Sequence, residues 1–273
     1  MSVTRRAMRI TQHPPFFRRA VRKAASLLLS WSENRDDARM ARNGEEWFLG
    51  ALATDWARAG RTVSRVVIDV GANRGDFTTA VLAAADARGV PVDVYACEPG
   101  PSAVAELAAR FAGEPRVTIV QAAVSDFEGT APLFASSGAS ELASLVKRDA
   151  RTQEVPPQVE VTTLAALIAS GGIARVDFLK LDIEGAELEA LRGLGDRLKP
   201  STIAVILFEY GGTTLDAGHR LRDFFELLTA RGYRVAKLFP GWIEVRSYQP
   251  QFDNFYYSNW VAVASPEPGR KGG

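Results

Sequence analysis

The stretch V-V-I-D-V-G-A-N-R-G-D-F-T, Val66 to Thr78, decides the fold. A β-branched run, Val66, Val67 and Ile68, ends in Asp69; glycines follow at 71 and 75, and Asp76 is a polar residue able to open a helix. A buried strand therefore passes into a helix through a turn whose backbone can approach another group closely, because glycine takes positive φ without steric cost. In an open α/β sheet such a turn sits at the carboxyl end of a strand, where ligands bind. Asp69 offers an acceptor there, and Gly71 and Gly75 around Asn73 are expected to leave backbone amides facing a ligand.

Working outward, strand and helix patterns alternate. Strands are predicted over Val92 to Cys97, Val117 to Val124, Val159 to Val161, Val176 to Asp182, Thr202 to Glu209, Tyr233 to Phe239 and Phe255 to Ala264. Helices are predicted over Asp76 to Arg88, Pro101 to Phe111, Thr163 to Ala169, Glu184 to Leu191 and Asp216 to Arg231. This alternation predicts an α/β fold, a mostly parallel sheet with helices on both faces, with the close-set final strands supplying an antiparallel edge. Residues 125–157 are small and polar, and are expected to form a mobile, substrate-facing insertion.

Three regions follow: a basic helical extension over 1–60, a catalytic domain over 61–264, and a Pro-, Gly- and Lys-rich tail over 265–273 expected to be disordered. The 273 residues, 47% hydrophobic, suffice for one substantial core. With 33 Lys plus Arg against 32 Asp plus Glu, nothing steers the whole chain toward nucleic acid. The single cysteine, Cys97, excludes an internal disulfide and favours a reduced, cytoplasmic setting.

The extension is different. No acid precedes Glu33, while Arg5, Arg6, Arg9, Arg18, Arg19, Arg22 and Lys23 are basic. Helical spacing sets Phe17, Val21, Ala24, Leu28 and Trp31 on one face, too short a run to cross a bilayer. Three readings stay open: a helix packed on the domain or on a homodimer partner, a peripheral membrane helix through residues 1–32, and a transit segment. Further on, Trp47, Phe48, Ala51, Leu52 and Trp56 form a helical stripe that either packs in the core or covers the site.

The spacing G-x-x-x-G lacks the third glycine of a dinucleotide cradle. Together with Glu98 at the tip of the next strand, placed to accept both hydroxyls of a ribose, it points to an adenosine-type ligand. Asp182, Glu184 and Glu209 are expected to converge at one rim of the sheet. One of them serves as general base, or two hold a divalent metal ion that polarises a hydroxyl. The alternatives are an NAD(P)-dependent oxidoreductase, through the pair Tyr233 and Lys237, and a non-enzymatic membrane-surface protein led by the basic N-terminus. His219 is expected to be solvated or capping, and the aromatics Trp242, Tyr248, Phe252, Phe255, Tyr256, Tyr257 and Trp260 are candidates for an acceptor pocket.

The segments D-V-G-A-N-R-G-D-F-T (69–78), E-P (98–99), A-V-S-D-F-E-G (123–129), A-S-L (143–145), V-T-T-L (161–164) and V-D-F-L-K-L-D-I-E-G-A-E (176–187) resemble the FkbM family of S-adenosylmethionine-dependent methyltransferases. The last segment is the most specific. The resemblance implies a class I methyltransferase fold, with seven strands and an antiparallel last one, and O-methylation of a hydroxyl on a sugar, glycan or secondary metabolite. By position it implies that Asp69, Gly71, Asn73, Gly75 and Thr78 hold the methionine end of S-adenosylmethionine, Glu98 the ribose, and the Ala123 region the adenine. Many relatives carry a histidine after the acid that ends the fifth strand; here Glu209 is followed by Tyr210, Gly211 and Gly212.

Overall fold

The computed structural model describes residues 16–136, 139–146 and 156–265. The expected tail beyond Ser265, the first fifteen residues with Arg5, Arg6 and Arg9, and part of the 125–157 insertion lie outside the described residues.

The chain opens with helices α1 (Phe16–Ser32), α2 (Met40–Asn43) and α3 (Glu45–Ala59). Then come β1 (Arg65–Val70), α4 (Asp76–Asp86), β2 (Val92–Cys97), α5 (Pro101–Arg110) and β3 (Val117–Val120). Next come β4 (Ala123–Ser125), then β5 (Gly129–Pro132), β6 (Phe134–Ser136) and β7 (Ala139–Ser144) within the insertion, and β8 (Gln158–Thr163). After it run α6 (Leu164–Ser170), β9 (Phe178–Leu181), α7 (Glu187–Arg192), β10 (Val205–Tyr210), α8 (Gly212–Asp216), α9 (Leu221–Ala230), β11 (Tyr233–Phe239), β12 (Trp242–Val245) and β13 (Ser258–Ala264).

The central sheet has eight strands in the order β12-β11-β13-β10-β9-β1-β2-β3. β3, β2, β1, β9 and β10 are mutually parallel. β13, last in sequence, is inserted antiparallel between β10 and β11 rather than placed at the edge. The edge strand is β12, an antiparallel partner of β11 and an eighth strand beyond the seven expected. The predicted strand at 159–161 does not join this sheet. As β8 it pairs with β4 and β5 in a three-stranded sheet of its own around Leu133, Val159 and Val161. The predicted helix 216–231 starts only at Leu221, as α9: Asp216 ends α8, and Gly218 with φ of +80° separates the two.

Two clusters cover the two faces of the sheet, and strand alternation assigns each side chain to one of them. Ile68, Val70, Leu179, Leu181, Ile206 and Phe208 face α6, α7 and α9, where Phe208 stacks on Phe224 with ring centroids 4.8 Å apart. Val67, Phe178, Leu207 and Val261 face α3 and α4, meeting Phe48, Leu52, Trp56, Phe77 and Val81. Of the stripe on α3, Phe48, Leu52 and Trp56 are core, Ala51 is half-buried and Trp47 is exposed. Gly44, between α2 and α3, takes φ of +101°, and a Cβ there would lie 2.7 Å from the carbonyl oxygen of Phe239. Only glycine lets this turn seat against β11.

Candidate active site

A cavity of about 790 Å³ opens at the carboxyl ends of β1, β2, β9 and β10. That is the point where strand order reverses, between β1 and β9. Gly71, Asn73, Glu98, Ala123, Asp182, Glu184 and Glu209 line it; Asp69, Gly75 and Thr78 do not.

Register explains the split. Asp69 pairs with Lys180 across β1 and β9, and Lys180 pairs with Leu207 across β9 and β10. By period two, Asp69, Lys180, Asp182 and Glu209 all point to the α3/α4 face. Asp69 is fully buried, accepts a 2.7 Å hydrogen bond from the Thr78 hydroxyl, and lies 3.8 Å from the Lys180 ammonium. Its Oδ1 accepts no hydrogen bond. The pair Asp69 and Thr78 therefore stands behind the cavity wall and braces β1, α4 and β9. Gly75 is a packing position: at φ of +85°, an added Cβ would meet the Phe111 ring at 2.5 Å.

The glycine turn also differs from expectation in where its amides point. Those of Gly71 and Ala72 donate to the carbonyl of Cys97, and that of Asn73 donates to Glu98 Oε2 at 3.1 Å. Glu98 Oε1 accepts from the amide of Gly100 at 2.8 Å. Burial pushes the Glu98 carboxyl up, and these two amides draw it back. Each oxygen keeps a second lone pair for a hydroxyl, so the carboxylate can hold a diol while locking the turn. The turn is pressed on β9: a Cβ on Gly71 would fall 1.8 Å from the carbonyl oxygen of Asp182.

At the rim, Lys180 donates to Asp182 Oδ2 at 2.9 Å and lies over the Phe77 ring, 4.6 Å from its centroid. Burial works against the Lys180 charge, but Asp182, Asp69 and Glu45 outweigh it and hold the ammonium above its ordinary range. Glu209 is pushed well above the carboxylate range by burial and by the Asp182 charge, which favours its protonated form beside Asp182. Burial opposes the Asp182 charge too, yet Lys180 and Glu209 keep that carboxyl low. The arrangement sets Asp182, whose carboxyl is held low, between an ammonium and a carboxyl that is raised.

Glu184 does not begin a helix. It takes φ of +59° in a turn completed by Gly185 at φ of +109°, and α7 starts three residues later. Glu187 holds this turn: its Oε1 accepts from the amides of Ile183 at 2.9 Å and Gly185 at 3.1 Å. Burial pushes the Glu187 carboxyl up to about 7 against these amides. The A-S-L motif reaches the same turn, where the Ser144 hydroxyl donates to the Glu184 carbonyl at 2.9 Å.

Sequence reasoning missed Lys180 and Glu45, both of which line the cavity. A lysine between two leucines, in phase with Asp182 along F-L-K-L-D, was a legible signal for the first. Nothing local marks Glu45, which arrives on α3 and is pushed up by burial while facing Lys180. Of the candidate aromatics, only Tyr257 lines the cavity; Trp260 is buried in the core and Trp242 is exposed. His219 is neither solvated nor a cap: its Nε2 pairs with Glu189, part-buried and off the cavity lining. Tyr233 donates to the carbonyl of Ile203 and Lys237 pairs with Glu33, so the residues of the oxidoreductase reading serve the fold.

The donor set does not fit a metal ion. Among the described residues no three His, Cys, Asp or Glu groups are placed to hold one, and beside Asp182 a cation is already supplied by Lys180.

A mostly parallel sheet with this reversal point and an inserted antiparallel strand has the architecture of a class I methyltransferase fold. Residues 69–235 match the family model described as the methyltransferase FkbM domain. The chain belongs to that family. The structure of the FkbM methyltransferase from Methylobacillus flagellatus is similar over 73% of this chain and 43% of that one, at 15% identity and a TM-score of 0.48. This chain thus spans less than half the length of that protein. A putative rRNA-methylase from Clostridium thermocellum is similar over 83% of this chain and 98% of that one, at 10% identity and a TM-score of 0.44. The CurJ carbon methyltransferase is similar over 74% and 49%, at 10% identity and a TM-score of 0.41. Among curated proteins no match to this chain is found.

Proposed function

We propose that this methyltransferase moves the methyl group of S-adenosylmethionine to a hydroxyl oxygen of a sugar, glycan or secondary metabolite, with Asp182 receiving the hydroxyl proton. The observation that carries the reading is Asp182 in the cavity, held by Lys180 at 2.9 Å and beside Glu209, with the Asp182 carboxyl low and that of Glu209 raised.

The cavity suits such a donor. Glu98, already anchored to Asn73 and Gly100, has lone pairs left for the two ribose hydroxyls, and the wall at Ala122, Ala123, Val124 and Leu133 is apolar, as a flat base requires. When bound, the cofactor supplies a methyl carbon made electrophilic by a sulfonium. The chain's own task is to orient the acceptor in line and to take its proton as the new C–O bond forms and the old C–S bond breaks. Asp182 stays ionised at neutral pH because Lys180 neutralises it, and Glu209 fixes its orientation by donating a hydrogen bond. Glu184, in its strained turn at the rim, is placed to meet polar groups of the acceptor.

The test is methyl transfer from labelled S-adenosylmethionine to a panel of glycans and polyhydroxylated metabolites, with the methylated atom located by NMR. A label on oxygen, lost in Asp182→Asn, is the expected result. Transfer only to nitrogen or carbon, or undiminished turnover in Asp182→Asn, overturns it.

A further inference from the structure

Helix α1 is the one large apolar surface of the described chain that packs on nothing. None of its 17 residues is buried, and Phe16 and Trp31 are 87% and 84% exposed. At 3.6 residues per turn, Phe16, Leu27, Trp31, Phe17, Leu28 and Val21 succeed one another around about half of the circumference. The other half carries Arg18, Arg22, Arg19 and Lys23, with Leu29 between the first two, and the helix holds no acid. It is not a loose appendage either. Glu33, just beyond it, accepts from Lys237 at 3.2 Å and Arg246 at 2.7 Å, and the amide of Asp36 donates to the carbonyl of Tyr257. Ala38 and Met40, next along the chain, line the catalytic cavity.

We propose that α1 lies in the surface of an anionic lipid bilayer, its apolar half among the acyl chains and its four cations among the headgroups. Three occupants can be compared by shape and charge. A helix pair with a second copy buries a stripe roughly 100° wide, so much of this arc would stay in water, and two cationic helices would be brought together. A nucleic acid would satisfy the basic half and leave every apolar residue exposed. A bilayer surface covers the whole half-cylinder at once and supplies negative charge at the height of the arginines. The bound helix would hold the cavity close to the lipid, through the clasp at Glu33 and the stretch that reaches Met40.

The test is co-sedimentation of the full chain with vesicles of phosphatidylcholine alone and of phosphatidylcholine mixed with phosphatidylglycerol. Binding is expected to the mixed vesicles and to be weak with the neutral ones. Replacing Arg18, Arg19, Arg22 and Lys23 singly by Gln should weaken binding by roughly fivefold per charge. The pair Phe17→Glu and Leu28→Glu should abolish it. Because α1 buries nothing, these variants should keep the urea midpoint of the wild type, which separates lost docking from lost folding. Three results overturn the proposal: no preference for anionic vesicles, a Phe17→Glu/Leu28→Glu chain that still binds them, or a dimer split by that same pair of changes with no vesicle binding.

Discussion

At the scale of single residues, the site turns on which carboxyl carries a proton. Asp182 and Glu209 are chemically similar and adjacent, yet their surroundings part them: Lys180 lies 2.9 Å from Asp182, while Glu209 faces the Asp182 charge and is buried. A glutamine at 209 can still donate to Asp182, whereas an asparagine at 182 cannot receive a proton. Asp182→Asn should therefore lower kcat by about a hundredfold or more, and Glu209→Gln by clearly less, with the Kd for S-adenosylmethionine nearly unchanged in both. Equal losses in the two variants, measured in single-turnover assays, would contradict this division of roles. Behind the wall, Thr78→Val removes the hydroxyl hydrogen bond that Asp69 accepts at 2.7 Å and leaves the buried carboxyl to the Thr78 amide and the Lys180 ammonium at 3.8 Å. We expect a loss of about 1–3 kcal/mol in urea unfolding.

At the scale of elements, two turns at the cavity hold strained backbone. Gly71→Ala combines a positive φ of +84° with a Cβ at 1.8 Å from the Asp182 carbonyl. The neighbour is backbone and cannot swing away, so this substitution should cost at least about 3 kcal/mol or abolish folding, as read by circular dichroism. The second turn hangs on Glu187, whose buried carboxyl is raised from 4.5 to about 7. A raised acid binds its proton more tightly in the folded state, so its contribution is fully present below pH 4.5 and is lost as pH rises through about 7. Stability should fall over that window by roughly 3 kcal/mol relative to Glu187→Gln, whose profile should be flatter there. Parallel urea titrations between the two pH limits check the sign.

At the scale of the whole molecule, the sheet gathers its functional groups by bringing four parallel strand ends to one rim, while β11, β12 and β13 carry packing and the clasp to Glu33. A ligand that binds this rim only in the folded state must stabilise the whole chain. At about a hundredfold excess over its Kd, S-adenosylmethionine should add about 2.7 kcal/mol and raise Tm by a few degrees. An unchanged Tm at saturating cofactor would refute the assignment of the cavity. No described helix is long and apolar enough to cross a membrane.

The sequence alone determined the framework: β-branched runs ending in Asp69, Asp182 and Glu209, the glycine turn, and a strand-end Glu98 were legible because period-two burial and positive-φ turns are written in adjacent residues. The family was legible too, in Val176 to Glu187. Tertiary structure decided the rest. Whether the turn's amides faced a ligand or Cys97 and Glu98, whether Asp69 lined the cavity or braced Lys180, and which carboxyl kept its proton all depend on groups that register and packing bring from distant strands. Glu45 entered the site from α3, and β13 slipped between β10 and β11, for the same reason. Local sequence encodes which face a side chain takes on its own strand, but its neighbour across the sheet is fixed only when the chain has folded.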